Sequence, residues 1–292
     1  FRRVLFRSER IGNAGVIRLN RPDKLNALTY HTLGELKSAI GAAVDDSGVI
    51  GIVITGKGRG FCAGLDSAVL AQVTQEANVG GRDETERAAS DQLPGMFSYL
   101  LEVPKPVIAA INGVAAGGGL ILALMSDLRF AAESAAVTTV FLKRGLIAEH
   151  GSSWILPRLV GTGRALDLLW ASDKISANEA LDYGLVERVV ADESLEQSAI
   201  DYIEKLAVTS APLAMAATKR LVYQHLGEGY RAALTEAEVV QNEFVASSDA
   251  AEGAMALIEK PRLPSSVWVI RRHNMRGAVT LTLFFSPSAK IG

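Results

Sequence analysis

Residues 112–127, NGVAAGGGLILALMSD, decide the fold. The apolar stretch that overlaps them, 107–125, carries no charge and is nearly long enough for a membrane span. A span needs about 20 unbroken apolar residues. This stretch is interrupted at Asn112-Gly113 and again at Gly117-Gly118-Gly119, and the half before the break is β-branched. It therefore reads as a buried strand, a tight loop and a buried helix beginning near Gly119. A second segment, 56–66, GKGRGFCAGLD, follows another apolar strand at 49–55. Each segment puts small residues where a backbone N–H must be left bare. Together they read as two halves of an oxyanion hole. Two aimed amides stabilise an enolate or a tetrahedral oxyanion without any catalytic side chain.

Outward from these loops, strands and helices alternate. Strands are expected at 16–19, 49–55, 105–110, 128–131, 136–140 and 186–190. Helical spacing runs through Leu33, Leu36, Ile40 and Val44 over 30–44, and further helices are expected at 94–101, 151–159, 163–171 and 176–183. Such alternation indicates an α/β fold. From Leu195 the pattern is helical: Leu195, Ala199, Ile203 and Leu206 share one face, and Ala233, Ala237, Val240 and Phe244 share another. The expected organisation is a core over 9–195 and a helical segment over 196–260. Residues 76–92 are polar and charged and read as a mobile segment. The ends, 1–8 and 262–292, read as non-native or disordered. The first holds RVLFRS without evident purpose, and the second loses helical patterning before an apolar run. A real additional strand pair is the alternative.

The bulk properties narrow the function. The chain has 292 residues, 49% apolar and 21% charged, which suits a globular protein with a sizeable core. A net charge of −2 without a basic block argues against a nucleic-acid partner. No apolar leader segment follows the arginine-rich start. The single cysteine, Cys62, excludes an internal disulfide framework and suits the cytoplasm. No histidine or cysteine spacing suggests a metal. The glycine spacing matches neither a dinucleotide fingerprint nor a P-loop.

Residues 10–260 resemble the enoyl-CoA hydratase/isomerase (crotonase) family. The resemblance rests on RPDKLNAL at 21–28, GFCAGLD at 60–66, PKPVIAAING at 104–113, AGGG at 116–119 with Asp127 downstream, and ALDYGLV at 180–186. In this order the motifs are specific. The resemblance implies a spiral of ββα units with a C-terminal helical trimerisation segment. It also implies trimers or pairs of trimers, a coenzyme A thioester as substrate, and no separate cofactor or membrane partner. It places one oxyanion donor on the Ala63 N–H and the other on the Gly118 N–H, at the positive end of a helix dipole. It lines the adenine end with Lys24, Asn26, Ala27, Leu65 and Asp66, largely through backbone groups. Lys24 would meet a phosphate. Gly117 and Cys62 flank the donors and are expected against the substrate, Cys62 as small filler rather than a reactive thiol. A solvated lysine and a helix-capping Asp66 are the structural alternatives.

The chain departs from the hydratase pattern at two places. The resemblance puts the two water-holding glutamates at Ile121 and Phe141, which instead become apolar lining. A different acid stands in the apolar loop GLIAEHG, 145–151. Glu149 falls where other family members carry a catalytic aspartate, so it is the expected acid/base, with His150 orienting it or touching substrate. A helix cap or an ion pair with Arg144 or Arg158 is the structural alternative for Glu149. The expected activity is acyl-CoA hydration or isomerisation through an enolate. Acyl-CoA hydrolysis, carbon–carbon hydrolysis and non-catalytic acyl-CoA binding are the rivals.

Overall fold

The computed structural model describes residues 6–71, 95–259, 269–275 and 278–284. The expected mobile segment at 76–92 lies outside them, as do the outer parts of both chain ends. The central sheet has six strands in the order β1 (Phe6–Ile11), β2 (Ala14–Leu19), β3 (Gly51–Gly56), β5 (Val107–Ile111), β7 (Leu128–Ala132) and β10 (Arg188–Val190). Only β1 runs antiparallel to its neighbour. The central strands β3 and β5 are buried along their whole length, which is why 51–56 and 107–111 read as continuous apolar runs. A second sheet orders β4 (Gly60–Cys62), β6 (Val114–Ala116), β8 (Ala136–Thr138) and β9 (Ile175–Ser176). The pairs β3/β4, β5/β6 and β7/β8 each send one strand to each sheet, so every such crossing makes a turn at the same edge of the molecule.

Helices close the sheets. Helix α1 (Tyr30–Asp45) starts at a Thr29–Thr32 capping box and buries Leu36 and Ile40, the face its spacing announced. Its last carbonyls, on Ala43 and Asp46, accept hydrogen bonds from the buried Lys105 ammonium at 2.9 and 2.7 Å. Burial pulls that ammonium down to about 8 against the charges of Asp46 and Asp45. Helix α2 (Gly118–Leu124) is buried on every side. Helices α3 (Ser152–Val160), α4 (Thr162–Ala171) and α5 (Ala177–Asp182) follow as expected. Helix α6 (Leu195–Thr209) lies on the central sheet so closely that a Cβ on Gly51 would stand 2.2 Å from Ile203 Cδ1. Three more helices follow: α7 (Pro212–His225), α8 (Tyr230–Val245) and α9 (Ser248–Glu259). Neither α7 nor α8 has a buried residue.

Two readings change. The helix expected over 94–101 is a 3₁₀ turn, Ser98–Glu102, because Gly95 sits at φ 106 and Pro104 and Pro106 leave no room for further turns. Residues 6–8, expected as part of a stray end, pair in β1 with Leu19, Arg18 and Ile17, and Phe6 is buried. At the other end, β11 (Val269–Met275) and β12 (Ala278–Phe284) pair antiparallel over seven positions. Among the described residues no helix is long and apolar enough to cross a membrane.

Candidate active site

The first loop is fixed by its hydrogen bonds. After β2, Leu25 and Asn26 both take left-handed backbone angles, φ 48 and 57. Asn26 is buried, and its side chain staples the two sides of the loop: Nδ2 donates to Lys57 O and Gly60 O, and Oδ1 accepts from the Arg21 N–H. This turn presents Leu25 O to the Ala63 N–H at 2.9 Å. The amide of Ala63, expected as an oxyanion donor, is therefore already used within the chain and is not free to serve as one. Two residues further on the pattern differs. Leu28 N donates to Gly64 O and Asp66 N donates to Leu28 O, both at 2.8 Å. In such a parallel bridge the residue opposite, Leu65, turns its own N–H and C=O to the other side. The Leu65 N–H makes no hydrogen bond among the described residues.

The second loop meets the first at that point. Gly64 has φ 86, and a Cβ there would lie 2.7 Å from Ala116 O and 3.0 Å from Gly118 N. Gly117, at φ 50 and ψ −120, caps α2 and donates its N–H to Thr138 O. A Cβ on Gly119 would stand 2.0 Å from Cys62 O, so only glycine lets the helix start this close to β4. The Gly118 N–H is in the first helical turn and has no carbonyl four residues back. Two main-chain donors, on Leu65 and Gly118, thus stand where the loops touch.

The apolar loop lies beside this junction. From the Cβ position of Gly117, Val140 Cγ2 is 3.2 Å away and Phe141 Cε1 is 3.9 Å away. Leu146 N donates to Phe141 O, which anchors the loop that continues to Glu149 and His150. The structural roles weighed for Glu149 go to other groups. Its main-chain carbonyl accepts from both the N–H and the hydroxyl of Ser152. Arg158 stacks on the Trp154 ring at 4.3 Å and donates to Trp154 O. The Glu149 carboxylate makes no hydrogen bond or ion pair among the described residues, and the residue is half-buried. His150 has φ 51, and Gly151 follows at φ 84.

The remaining expected residues divide. Lys24 is exposed on the 3₁₀ turn Pro22–Lys24 and stays available to an anion. Asp66 accepts from Arg21 Nη2 at 2.9 Å and from Ala68 N at 3.2 Å, so its carboxylate is a cap. The Arg21 guanidinium holds that carboxyl below the usual aspartate range. Arg21 also donates to Ala27 O, making it the organiser of the loop, a role missed in the sequence. Cys62 has zero exposure, and its thiol donates to Asn26 O at 3.3 Å. Burial pushes the thiol up to about 12, and the substrate contact expected there gives way to a core role. Ile121 is likewise sealed, and Phe141 nearly so. Neither can hold a water. No cluster of three His, Cys, Asp or Glu suited to a metal occurs among the described residues.

Two sheets fed by the same strand pairs, with two glycine turns meeting at a helix start, define a mixed α/β protein built around main-chain donors. The model of the enoyl-CoA hydratase/isomerase family matches residues 9–265, and the chain belongs to that family. It is 32% identical to a short-chain-enoyl-CoA hydratase of Clostridium acetobutylicum, over 87% of this chain and 95% of that protein. It is 36% identical to a 1,2-epoxyphenylacetyl-CoA isomerase of Escherichia coli, over 65% of this chain and 71% of that protein. Among solved structures, an enoyl-CoA hydratase from Bacillus anthracis superposes with a TM-score of 0.78 at 32% identity, covering 89% of this chain and 98% of that one. The chain is accordingly an enzyme of the hydratase/isomerase type, within the lyases and isomerases.

Proposed function

We propose that the chain binds an acyl-CoA thioester and polarises its carbonyl with the Leu65 and Gly118 amides. The thioester becomes an enolate, and Glu149 transfers the proton. The observation that carries this reading is the pair of main-chain N–H groups without an acceptor among the described residues, at the junction of the two glycine turns. One well-aimed donor of this kind supplies about 3 kcal/mol to a developing oxyanion. In an isomerisation Glu149 takes a proton from one carbon of the acyl chain and returns it to another. In a hydration it takes a proton from water as the hydroxyl adds to the β-carbon, and the α-carbon receives a proton. Lys24 meets a phosphate of coenzyme A. Coenzyme A enters as part of the substrate, and the proton transfer draws on no other cofactor.

The strands that alternate between sheets form the spiral of ββα units, and the C-terminal helices assemble a trimer or a pair of trimers in the cytoplasm. Glu149→Gln keeps the carboxylate's shape but not its basicity. It should retain acyl-CoA binding by calorimetry and lose most turnover. Wild-type turnover in that variant places the acid elsewhere. A second reading, thioester hydrolysis by water activated at Glu149, gains support from Ile121 and Phe141 in place of water-holding acids. Stoichiometric release of free coenzyme A thiol would select it over hydration.

A further inference from the structure

Met96 stands between the two halves of the site. The residue is half-buried and packs against the core just before the Ser98–Glu102 turn. Its Cε lies 3.6 Å from where a Cβ on Gly118 would be, and Leu28 Cδ1 lies 3.8 Å from the same point. Its chain neighbour Gly95 faces the other way: a Cβ there would be 3.8 Å from both Cα and O of His150. Residues 95–96 therefore connect the donor-bearing start of α2 with the loop that carries Glu149. An acyl group whose carbonyl is held at Gly118 and whose carbons are reached from Glu149 must run along Met96.

The other side chains at this junction, Leu28, Val140 and Phe141, are all apolar. We propose that Met96 is a specificity-determining residue: its thioether forms the adjustable wall that sets the width of an apolar acyl group. The proposal rests on the acyl-CoA reading above and adds the substrate class, hydrocarbon acyl groups without polar substituents near the carbonyl. Methionine suits such a wall. Its unbranched side chain turns about three bonds, and its sulfur packs well against aromatic rings. A β-branched or aromatic residue would fix one width.

The test compares the full chain with its Met96→Ala, Met96→Leu and Met96→Phe variants. Calorimetry measures the affinity of butyryl-CoA, of 3-phenylpropionyl-CoA and of free coenzyme A. Met96→Ala should shift the phenylpropionyl-to-butyryl affinity ratio about tenfold toward the larger group, in the range that one or two methylenes command in an apolar pocket. Met96→Phe should shift it about tenfold the other way. Met96→Leu should stay within about threefold of wild type, and free coenzyme A should bind all four proteins alike. Unchanged ratios in folded Ala and Phe variants overturn the role of Met96. If Met96→Ala fails to fold, the Phe and Leu variants decide by the same ratios. A wild-type chain that binds free coenzyme A and both thioesters, with flat ratios across the variants, sinks only the Met96 assignment. A wild-type chain that binds no thioester sinks the acyl-CoA reading itself.

Discussion

The contrast between Gly64 and Gly118 defines the site at the residue scale. Both look interchangeable in the sequence, yet their surroundings differ. A Cβ on Gly118 meets only ordinary contacts at 3.6 Å or more, whereas one on Gly64 would press on Ala116 O and Gly118 N in a left-handed backbone. Gly118→Ala should therefore fold with a melting temperature close to wild type. Gly64→Ala should separate the two loops and lower kcat/KM by 10²-fold or more, about the effect of one lost oxyanion donor. Wild-type activity in a folded Gly64→Ala variant would show that the loop junction is not the reacting centre. The glycine positions were legible because a bare backbone needs them. The identity of the free amide was not. Ala63 and Leu65 differ only in that Leu25 O reaches Ala63, which depends on two consecutive left-handed residues, Leu25 and Asn26, that no local propensity requires.

Among the elements, α7 holds more of the molecule than its polar sequence suggests. Lys219 on this helix pairs with Asp127 Oδ2 at 2.7 Å and donates to Leu100 O and Lys105 O. Tyr223, one turn on, donates to Asp127 Oδ1, and Asp127 Oδ2 also accepts the Val107 N–H. The Ser98–Glu102 turn, the start of β5 and the segment after α2 are thus tied to one helix by a partly buried network. Lys219→Met would leave the Asp127 carboxylate without its cation and should cost about 3 kcal/mol in urea unfolding. Asp127→Asn in the same chain should recover part of that loss, since the two sites share one interaction. A cost below about 1 kcal/mol would rank the pair with ordinary surface bridges. The long strands and helices were readable from period alone, because burial on one or both faces writes itself into the sequence. The 3₁₀ turn and the three-residue strands β4 and β6 were not: they are too short to show a period, and tertiary pairing sets them.

The whole molecule leaves one face incomplete. Val222 on α7 and Leu234, Val239 and Val245 on α8 are exposed, on helices with no buried residue of their own. Single exposed apolar residues are common, but several of them on neighbouring helices are what the proposed trimer would cover. Wild-type protein should sediment as a trimer or a pair of trimers, and Val239→Asp should move it toward smaller species. Monomeric wild type at micromolar concentration would count against assembly through these helices. The helical character of this segment was plain from the sequence, and the face shared by Ala233, Ala237, Val240 and Phe244 is half-buried. The exposure of Leu234, Val239 and Val245 was not legible, because the sequence pattern alone does not say which helices find a partner within the chain. Finally, the chain's lone sulfhydryl is sealed beneath the first loop with its proton held up to about 12. A disulfide reagent added to native enzyme would thus colour only with coenzyme A set free, and any slow labelling of the polypeptide would clock how often that loop breathes open.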